Sequence, residues 1–360
     1  MNNSLNKLTL LPLAALALAA SPALAAPAPT PNYHLPNYHL LQKVTLGGEG
    51  GWDYLSVDPD ARRIYISRGT HVMVVDADTE KVVGEIPNTN GVHGIAFAPK
   101  LGRGFTSNGR DNSVTIFDLK TLKTLSTVPV GTGPDCIVYE PKTQRVFTFN
   151  GRSNDATAVD AKTGKVVATI PLGGRPEFAA VDGAGMVYDN IEDKSEIVAI
   201  DAPTLAIKNR WPVAPGESPS GLAIDTKNHR LFSVCDGGKM VISSTELSKV
   251  TSTAPIGNGP DAAGFDPGTG LAFSSNGEDG TLTTLLPIVD RPKVVNGQML
   301  VETNVPLQTV PTQAGARTMA LDTKTHRVFL VAATPDPTNP GEGRRRNYVP
   351  GSFTVLVVGP

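Results

Sequence analysis

Between residues 133 and 172 the chain reads GPDCIVYEPKTQRVFTFNGRSNDATAVDAKTGKVVATIPL, with apolar and polar positions alternating in short runs. A period of two predicts β-strands over Cys136–Glu140, Val146–Asn150, Ala156–Ala161 and Lys165–Leu172. Gly133-Pro-Asp, Asn150-Gly-Arg and Lys162-Thr-Gly separate them with turn chemistry. Four short strands joined in this way form an antiparallel meander with two faces to bury. It cannot bury them alone.

The unit recurs. Its first strand reads WDYLSVD from Trp52, HGIAFA from His93, DCIVYE from Asp135, EFAAVD from Glu177, SGLAID from Ser220, DAAGFD from Asp261 and RTMALD from Arg317. Measured from Asp53, successive starts lie 40, 42, 42, 43, 41 and 56 residues apart, and an insertion around Val289–Gln298 accounts for the last interval. A period near forty with four strands per unit predicts an all-β, seven-bladed propeller. Small residues on the first strands (Ala96, Ala179, Ala180, Ala223, Ala262, Ala263, Ala320) let seven inner strands crowd around an axis. The seventh unit offers only Thr318–Asp322, Val328–Ala332 and Phe353–Val358, while Leu40–Leu46 precedes the first unit unassigned. The N-terminal strand is therefore expected to complete the last blade and close the ring.

The domain reading runs as a signal peptide over 1–26, a Pro-rich leader over 27–37 and one propeller over 38–360. Lys7 is the basic n-region, Leu8–Ala20 the apolar h-region and Ala23-Leu24-Ala25 the small-residue cleavage signal. The apolar run is too short to span a bilayer, which predicts a periplasmic or secreted protein with no membrane span. The leader holds a tandem copy, Pro31-Asn-Tyr-His-Leu and Pro36-Asn-Tyr-His-Leu, read as flexible up to about Tyr38. A formal charge of −2, or −3 once Lys7 leaves with the leader, argues against a general nucleic-acid or membrane-surface binder. Two cysteines, Cys136 and Cys235, fall on blades three and five and are expected to stay unbridged. Nothing in the pattern asks for an oligomer, so a monomer is expected.

The phrase from Gly133 to Leu172, and GGWDYLSVDPDARRIYISRGTHVMVVDADTEKVVGEIP from Gly50, resemble the YVTN-type repeat of YncE-like bacterial extracytoplasmic propellers. The resemblance covers nearly all the mature chain and implies the propeller fold. It implies no single function, because this repeat type is a scaffold for different roles.

Equivalent positions in a closed ring converge. The first-strand starts Asp53, His93, Asp135, Glu177, Ser220, Asp261 and Arg317 should therefore gather at one axial mouth. Two readings stand side by side: a ligand site, or residues that cap turns, which covers the aspartates better than His93, Glu177 and Arg317. As a site, His93, Asp135, Glu177 and Asp261 would hold a divalent cation, calcium or magnesium by oxygen, zinc or copper through the imidazole. Without a metal, crowded carboxylates would titrate high and supply acid and base.

The loops between second and third strands share that face. Arg68, Arg110 and Arg152 stand at similar places on blades one to three; with Arg344-Arg345-Arg346 they form either a basic rim or solvated loop charge. Asn-Gly loop starts read as ordinary turn chemistry. The long loop Ala333–Ser352, carrying Tyr348, is a lid or a disordered segment. The turn histidines His229 and His326 read as solvated, and a Cys235–Met240 hairpin pair as a weak soft-metal signal. No CxxCH, P-loop, GxGxxG junction or Gly-x-Ser-x-Gly elbow occurs.

Three functions follow. The first is an exported binding protein whose axial face takes a small ligand, a metal ion or a protein partner. The second is a metal-dependent lactonase or lyase using the same ring. The third, single-stranded nucleic-acid binding, needs the basic rim plus exposed aromatics such as Trp52 and Tyr348, and the charge disfavours it.

Overall fold

The alternating runs are strands, and they pair in fours. The computed structural model describes residues 36–48, 50–287, 294–295, 298–299, 302–304, 306–338 and 347–360. The segments read as a signal peptide and leader, up to Leu35, and Arg344–Arg346 lie outside the described residues, as does most of the Val289–Gln298 insertion. Blade three pairs Pro134–Glu140, Arg145–Asn150, Asp155–Asp160 and Val166–Pro171 in sequence order. Blades one, two, four and five repeat that order over Leu55–Ile86, Val92–Pro129, Pro176–Pro212 and Glu217–Pro255. Blade six takes its fourth strand, Gln308–Pro311, from beyond the insertion. Within that insertion Glu302–Thr303 runs parallel to the outer strand of blade five, Ser252 opposite Glu302. Among the described residues no helix is long and apolar enough to cross a membrane.

The seventh blade is closed by the N-terminal strand. His39–Thr45 pairs antiparallel with Thr354–Gly359, from His39 opposite Gly359 to Thr45 opposite Thr354. The blade order is thus Met319–Asp322, Arg327–Ala332, Thr354–Gly359, His39–Thr45. Tyr38 anchors the join. It is fully buried, its hydroxyl donates to the His326 carbonyl (2.9 Å), and its ring meets Phe273 of blade six edge-on.

Blades hold to one another by size matching. The third residue of every second strand is aromatic: Tyr65, Phe105, Phe147, Tyr188, Phe232, Phe273 and Phe329. Opposite them on the first strands stand Ser56, Ala96, Val138, Ala180, Ala223, Gly264 and Ala320. Small residues near the axis give the aromatics room to fill the wedge between blades, where each buried ring contributes about 1.5–3 kcal/mol.

Arginines stitch the same seams. The residue opening the second strand donates to a carbonyl of the following blade: Arg63 to Leu119 (2.7 Å), Arg103 to Ala161 (2.9 Å) and Arg145 to Ala202 (2.5 Å). Arg62 ties blade one to the buried Asp322 of blade seven (2.5 Å). His326 is not simply solvated: its Nδ1 lies 2.7 Å from buried Asp266, linking blades six and seven. His229 is exposed, 3.8 Å from Glu246.

Two other sequence expectations change. The Asn-Gly asparagines Asn108, Asn150 and Asn276 are buried, and their amides donate across the hairpin to Thr115, Thr157 and Thr283. They are internal braces as well as turn residues. Cys235 and Met240 pack into clusters on opposite faces of blade five, so they form no soft-metal pair. Both cysteines are free and buried; Cys136 Sγ takes the Ala179 N–H of blade four at 3.3 Å.

Three outcomes follow for stability. Deleting residues 36–46 bares the edge of Thr354–Gly359, and the truncated chain should aggregate and melt at a lower temperature than the full chain; an unchanged light-scattering melt refutes the closure. Phe147→Ala should cost about 3–5 kcal/mol in chemical denaturation, and Arg145→Ala about 1–3 kcal/mol by orphaning a seam carbonyl.

Candidate functional site: the axial mouth

All seven first-strand starts are half-buried. Five of them form one bonded chain. His93 Nδ1 lies 2.5 Å from Asp53 Oδ2 and 3.5 Å from Asp135 Oδ1. Arg317 Nη2 donates to Asp53 Oδ1 at 2.8 Å, and its Nε donates to Asp261 Oδ2 at 2.6 Å. Asp53 is the hub, holding the imidazole on one oxygen and the guanidinium on the other. Ser220 instead donates to the Pro260 carbonyl at 3.1 Å and acts as a strand clasp. Glu177 makes no hydrogen bond or ion pair among the described residues.

Seating comes from polar residues that sequence reading missed. The fifth residue of the second strand is Ser67, Ser107, Asn190 and Ser275 in blades one, two, four and six, and all four are fully buried. Ser107 donates to the Asp135 carbonyl and Ser275 to the Arg317 carbonyl, each reaching the next blade. Asn190 does the same for Ser220 (2.7 Å), while Ser67 accepts the Asp53 N–H (3.0 Å). The available signal was a polar residue at one repeat position inside an otherwise apolar strand. Two loop glycines add close approach: a Cβ on Gly109 would lie 2.9 Å from His93 Nε2, and one on Gly277 would lie 2.5 Å from Arg317 Cβ.

Below the mouth the axis is closed. Tyr54 and Phe178 each follow a ring residue, on blades one and four, which face each other across a seven-membered ring. Their rings stack at 5.1 Å and 25°. Such a contact leaves no open bore at that level, so the mouth is a cup with an aromatic floor. The Tyr54 phenol lies near the Asp135 carboxylate.

The charges are strongly perturbed. Burial opposes the imidazolium of His93, yet the Asp53 hydrogen bond and the Asp135 and Asp53 charges outweigh it and push the pKa up to about 9. Burial, helped by Asp53 and Asp261 against His93, raises Asp135 to about 6. Burial and the like charges of Asp135, Glu192 and Asp261 raise Glu177 to about 9. Asp53 resists its burial and stays low, because His93 and Arg317 both bond it. Burial, then the nearby carboxylates, pushes the Tyr54 phenol well up.

The donor atoms of Asp53, His93 and Asp135 lie within 4.8 Å of one another, close enough that the three could hold one metal ion. Asp53 thus joins the set that sequence spacing assigned to His93, Asp135, Glu177 and Asp261, while Asp261 is drawn to Arg317. The expected basic rim is not continuous. Arg68 is 1% exposed, donates to the Gly47 and Gly50 carbonyls (3.1 and 3.2 Å), and lies 3.7 Å over the Phe353 ring; burial lowers its pKa to about 10. Its sequence position resembled the exposed Arg110 and Arg152, but an adjoining glycine-rich segment supplies carbonyls that turn it inward. Trp52 and Tyr348 pack on each other at 4.7 Å, with Phe353 5.5 Å from Trp52, and so are not free stacking platforms. The ends of the long loop zip together, Pro335 bridging Tyr348 and Val349 donating to Thr334 (2.8 Å); residues 339–346 lie outside the described residues.

No family model matches this chain, and no curated protein sequence matches it. Solved structures do. A chain of a mitotic checkpoint complex crystal structure aligns with a TM-score of 0.71 at 11% identity, covering 96% of this chain and 99% of that one. The RRP9 WD40 repeats align with a TM-score of 0.67 at 9% identity, covering 90% and 99%. A chain of hydrazine synthase from Kuenenia stuttgartiensis aligns with a TM-score of 0.64 at 16% identity, covering 78% and 92%. They share the propeller fold. Identities this low carry nothing finer.

The mouth makes stability fall as pH rises. Groups whose folded pKa exceeds the unfolded value hold protons that the unfolded chain has released, so folding loses free energy up to the folded pKa. His93 contributes fully below its ordinary 6.5 and loses the contribution through about 9; Glu177 works in the same direction from 4.5 to about 9. Melting of chelator-treated protein should drop between pH 6.5 and 9, and Glu177→Gln with His93→Gln should flatten the drop. An equal slope in the double variant counts against this arrangement.

Proposed function

We propose that this chain is an exported binding protein whose axial mouth holds a divalent transition-metal ion on Asp53, His93 and Asp135. The observation that carries the reading is the convergence of those three donor atoms within 4.8 Å in a floored cup. One imidazole nitrogen with two carboxylate oxygens suits zinc, iron, manganese or copper better than the all-oxygen shells of calcium. Three protein ligands leave positions open toward the mouth, where a small ligand or a partner's side chain completes the shell. The metal would take the place of the His93 proton between the same two carboxylates, with the 2.5 Å His93–Asp53 pair opening by about 1 Å to place both donors about 2 Å from the ion.

Export is supported by the leader over residues 1–26, and the YVTN-like phrases support a place among YncE-like extracytoplasmic propellers. A lactonase or lyase would use the same ion, but no motif of those enzymes occurs in the chain. Binding is the better-supported reading, because rigid strands hold the donors and the second-strand serines brace them.

Elemental analysis of the natively purified, signal-cleaved protein should find about one equivalent of a transition metal, and titration of zinc into chelator-treated protein should show one site. His93→Ala and Asp135→Asn should each weaken zinc at least about 100-fold, because each removes one of only three protein ligands. Far-ultraviolet dichroism should show both variants folded without metal, His93→Ala melting lower at neutral pH because it removes the cation shared by Asp53 and Asp135. No metal in the native protein, together with identical zinc titrations for parent and variants, refutes the site.

A further inference from the structure

The positive charge at the mouth is unevenly shared. His93 serves Asp53 and Asp135, and Arg317 serves Asp53 and Asp261. Glu177, on the blade-four side, has no such partner. Arg175 is committed to Glu192 (2.5 Å), and its backbone N–H is held by Asp193 (2.7 Å).

A second, independent observation lies behind Glu177. Asp189 is fully buried, and neither of its carboxyl oxygens has a hydrogen-bond partner. It stands opposite Ala179, two residues along the strand from Glu177, in a register that holds Thr106, Thr148, Ser233 and Ser274 in other blades. Glu177 is its main charged neighbour. Arg210, the cation that also acts on it, bonds to Glu196 and to the Leu172 carbonyl. This side of the cup therefore holds two carboxyl groups that no cation hydrogen-bonds among the described residues; Arg175, bonded to Glu192 through its Nη2, draws on Glu177 only through space.

Beside Glu177 is an apolar surface. Phe178 follows it directly and stacks on Tyr54 to form the cup floor. Carboxyl groups beside aromatic rings are the combination that recognises an organic cation: the acid takes the charge, and the rings take the alkyl stem and the cation's field.

We propose that the blade-four side of the mouth, Glu177 with Asp189 behind it and Tyr54–Phe178 beneath, binds the ammonium group of a small alkylammonium ligand. This rests on the reading of the axial mouth as a ligand site, but it uses none of the three metal donors. In the ligand-free cup, burial and like charge keep Glu177 protonated up to about pH 9. An arriving cation restores the carboxylate, whose proton leaves to solvent, and supplies the hydrogen-bonding partner that Glu177 lacks. The stem lies on the floor, so affinity should grow with chain length.

The test is calorimetric titration of n-butylammonium chloride into chelator-treated, signal-cleaved protein at pH 7, with methylammonium chloride and n-butanol as controls. One saturable site is expected, with n-butylammonium tighter than methylammonium by about threefold to fourfold per added methylene. Glu177→Gln should weaken it at least tenfold, Tyr54→Leu should reduce the chain-length dependence, and a variant at the exposed turn residue outside the mouth, His229→Ala, should leave it unchanged. Far-ultraviolet dichroism and melting curves establish that each variant is folded. Equal binding by Glu177→Gln, or n-butanol binding as well as n-butylammonium, overturns the proposal. So does the absence of any saturable binding. Zinc binding with no n-butylammonium binding sinks the ammonium site alone, and the converse sinks the metal site alone.

Discussion

A four-stranded blade with apolar residues on both faces is stable only between two others, and that constraint governs this molecule. Each blade places a second-strand aromatic against a first-strand residue that is small in six blades and Val138 in blade three, so the wedge between neighbours fills without crowding the axis. The arrangement is complete only when the ring closes, since an unclosed array would leave two apolar faces and two strand edges in water. His39–Thr45 supplies that closure by joining the strand that ends the chain. Tyr38 then sets the join against blade six.

Closure also creates the mouth. Independent repeats bring one position apiece to the axis, and what gathers there is decided by residue choice rather than by strand packing. Asp53 sits between a histidine and an arginine, and both cations are shared with a second carboxylate. That sharing makes the blade-one side of the ring an ion-pair network and leaves Glu177 and Asp189 short of charge on the far side. Burial raises the cost of every unmatched carboxyl group, so the imbalance appears as proton retention rather than as exposed negative charge.

The cross-axis stack of Tyr54 on Phe178 gives the mouth a bottom. A polar ring around an open bore would be a passage; over stacked rings it is a cup, with polar donors at the side and aromatic surface below. The clasps Ser107, Asn190 and Ser275 act on backbone carbonyls, so they fix ring positions without consuming the side chains. Rigid placement with free functional groups is what a preformed binding site requires.

The forty-residue period, the four-strand unit, the seven blades and the closing strand were legible in the sequence, because strand alternation and turn chemistry are local and repetition multiplies the signal. The first-strand ring was legible too, since register alone places equivalent residues around an axis. What each does there was decided by the tertiary structure. Arg68 and Arg110 occupy similar loop positions, yet one is buried beneath carbonyls and Phe353 while the other is exposed, which depends on the chain that happens to pass nearby. Tyr54 and Phe178 read as ordinary strand residues, and only folding sets them face to face across the axis. Asp53 joined His93 and Asp135 through a distance that no spacing encodes. Periodicity determines which residues share a position, but partners separated by a hundred or more residues are chosen by how the closed ring packs.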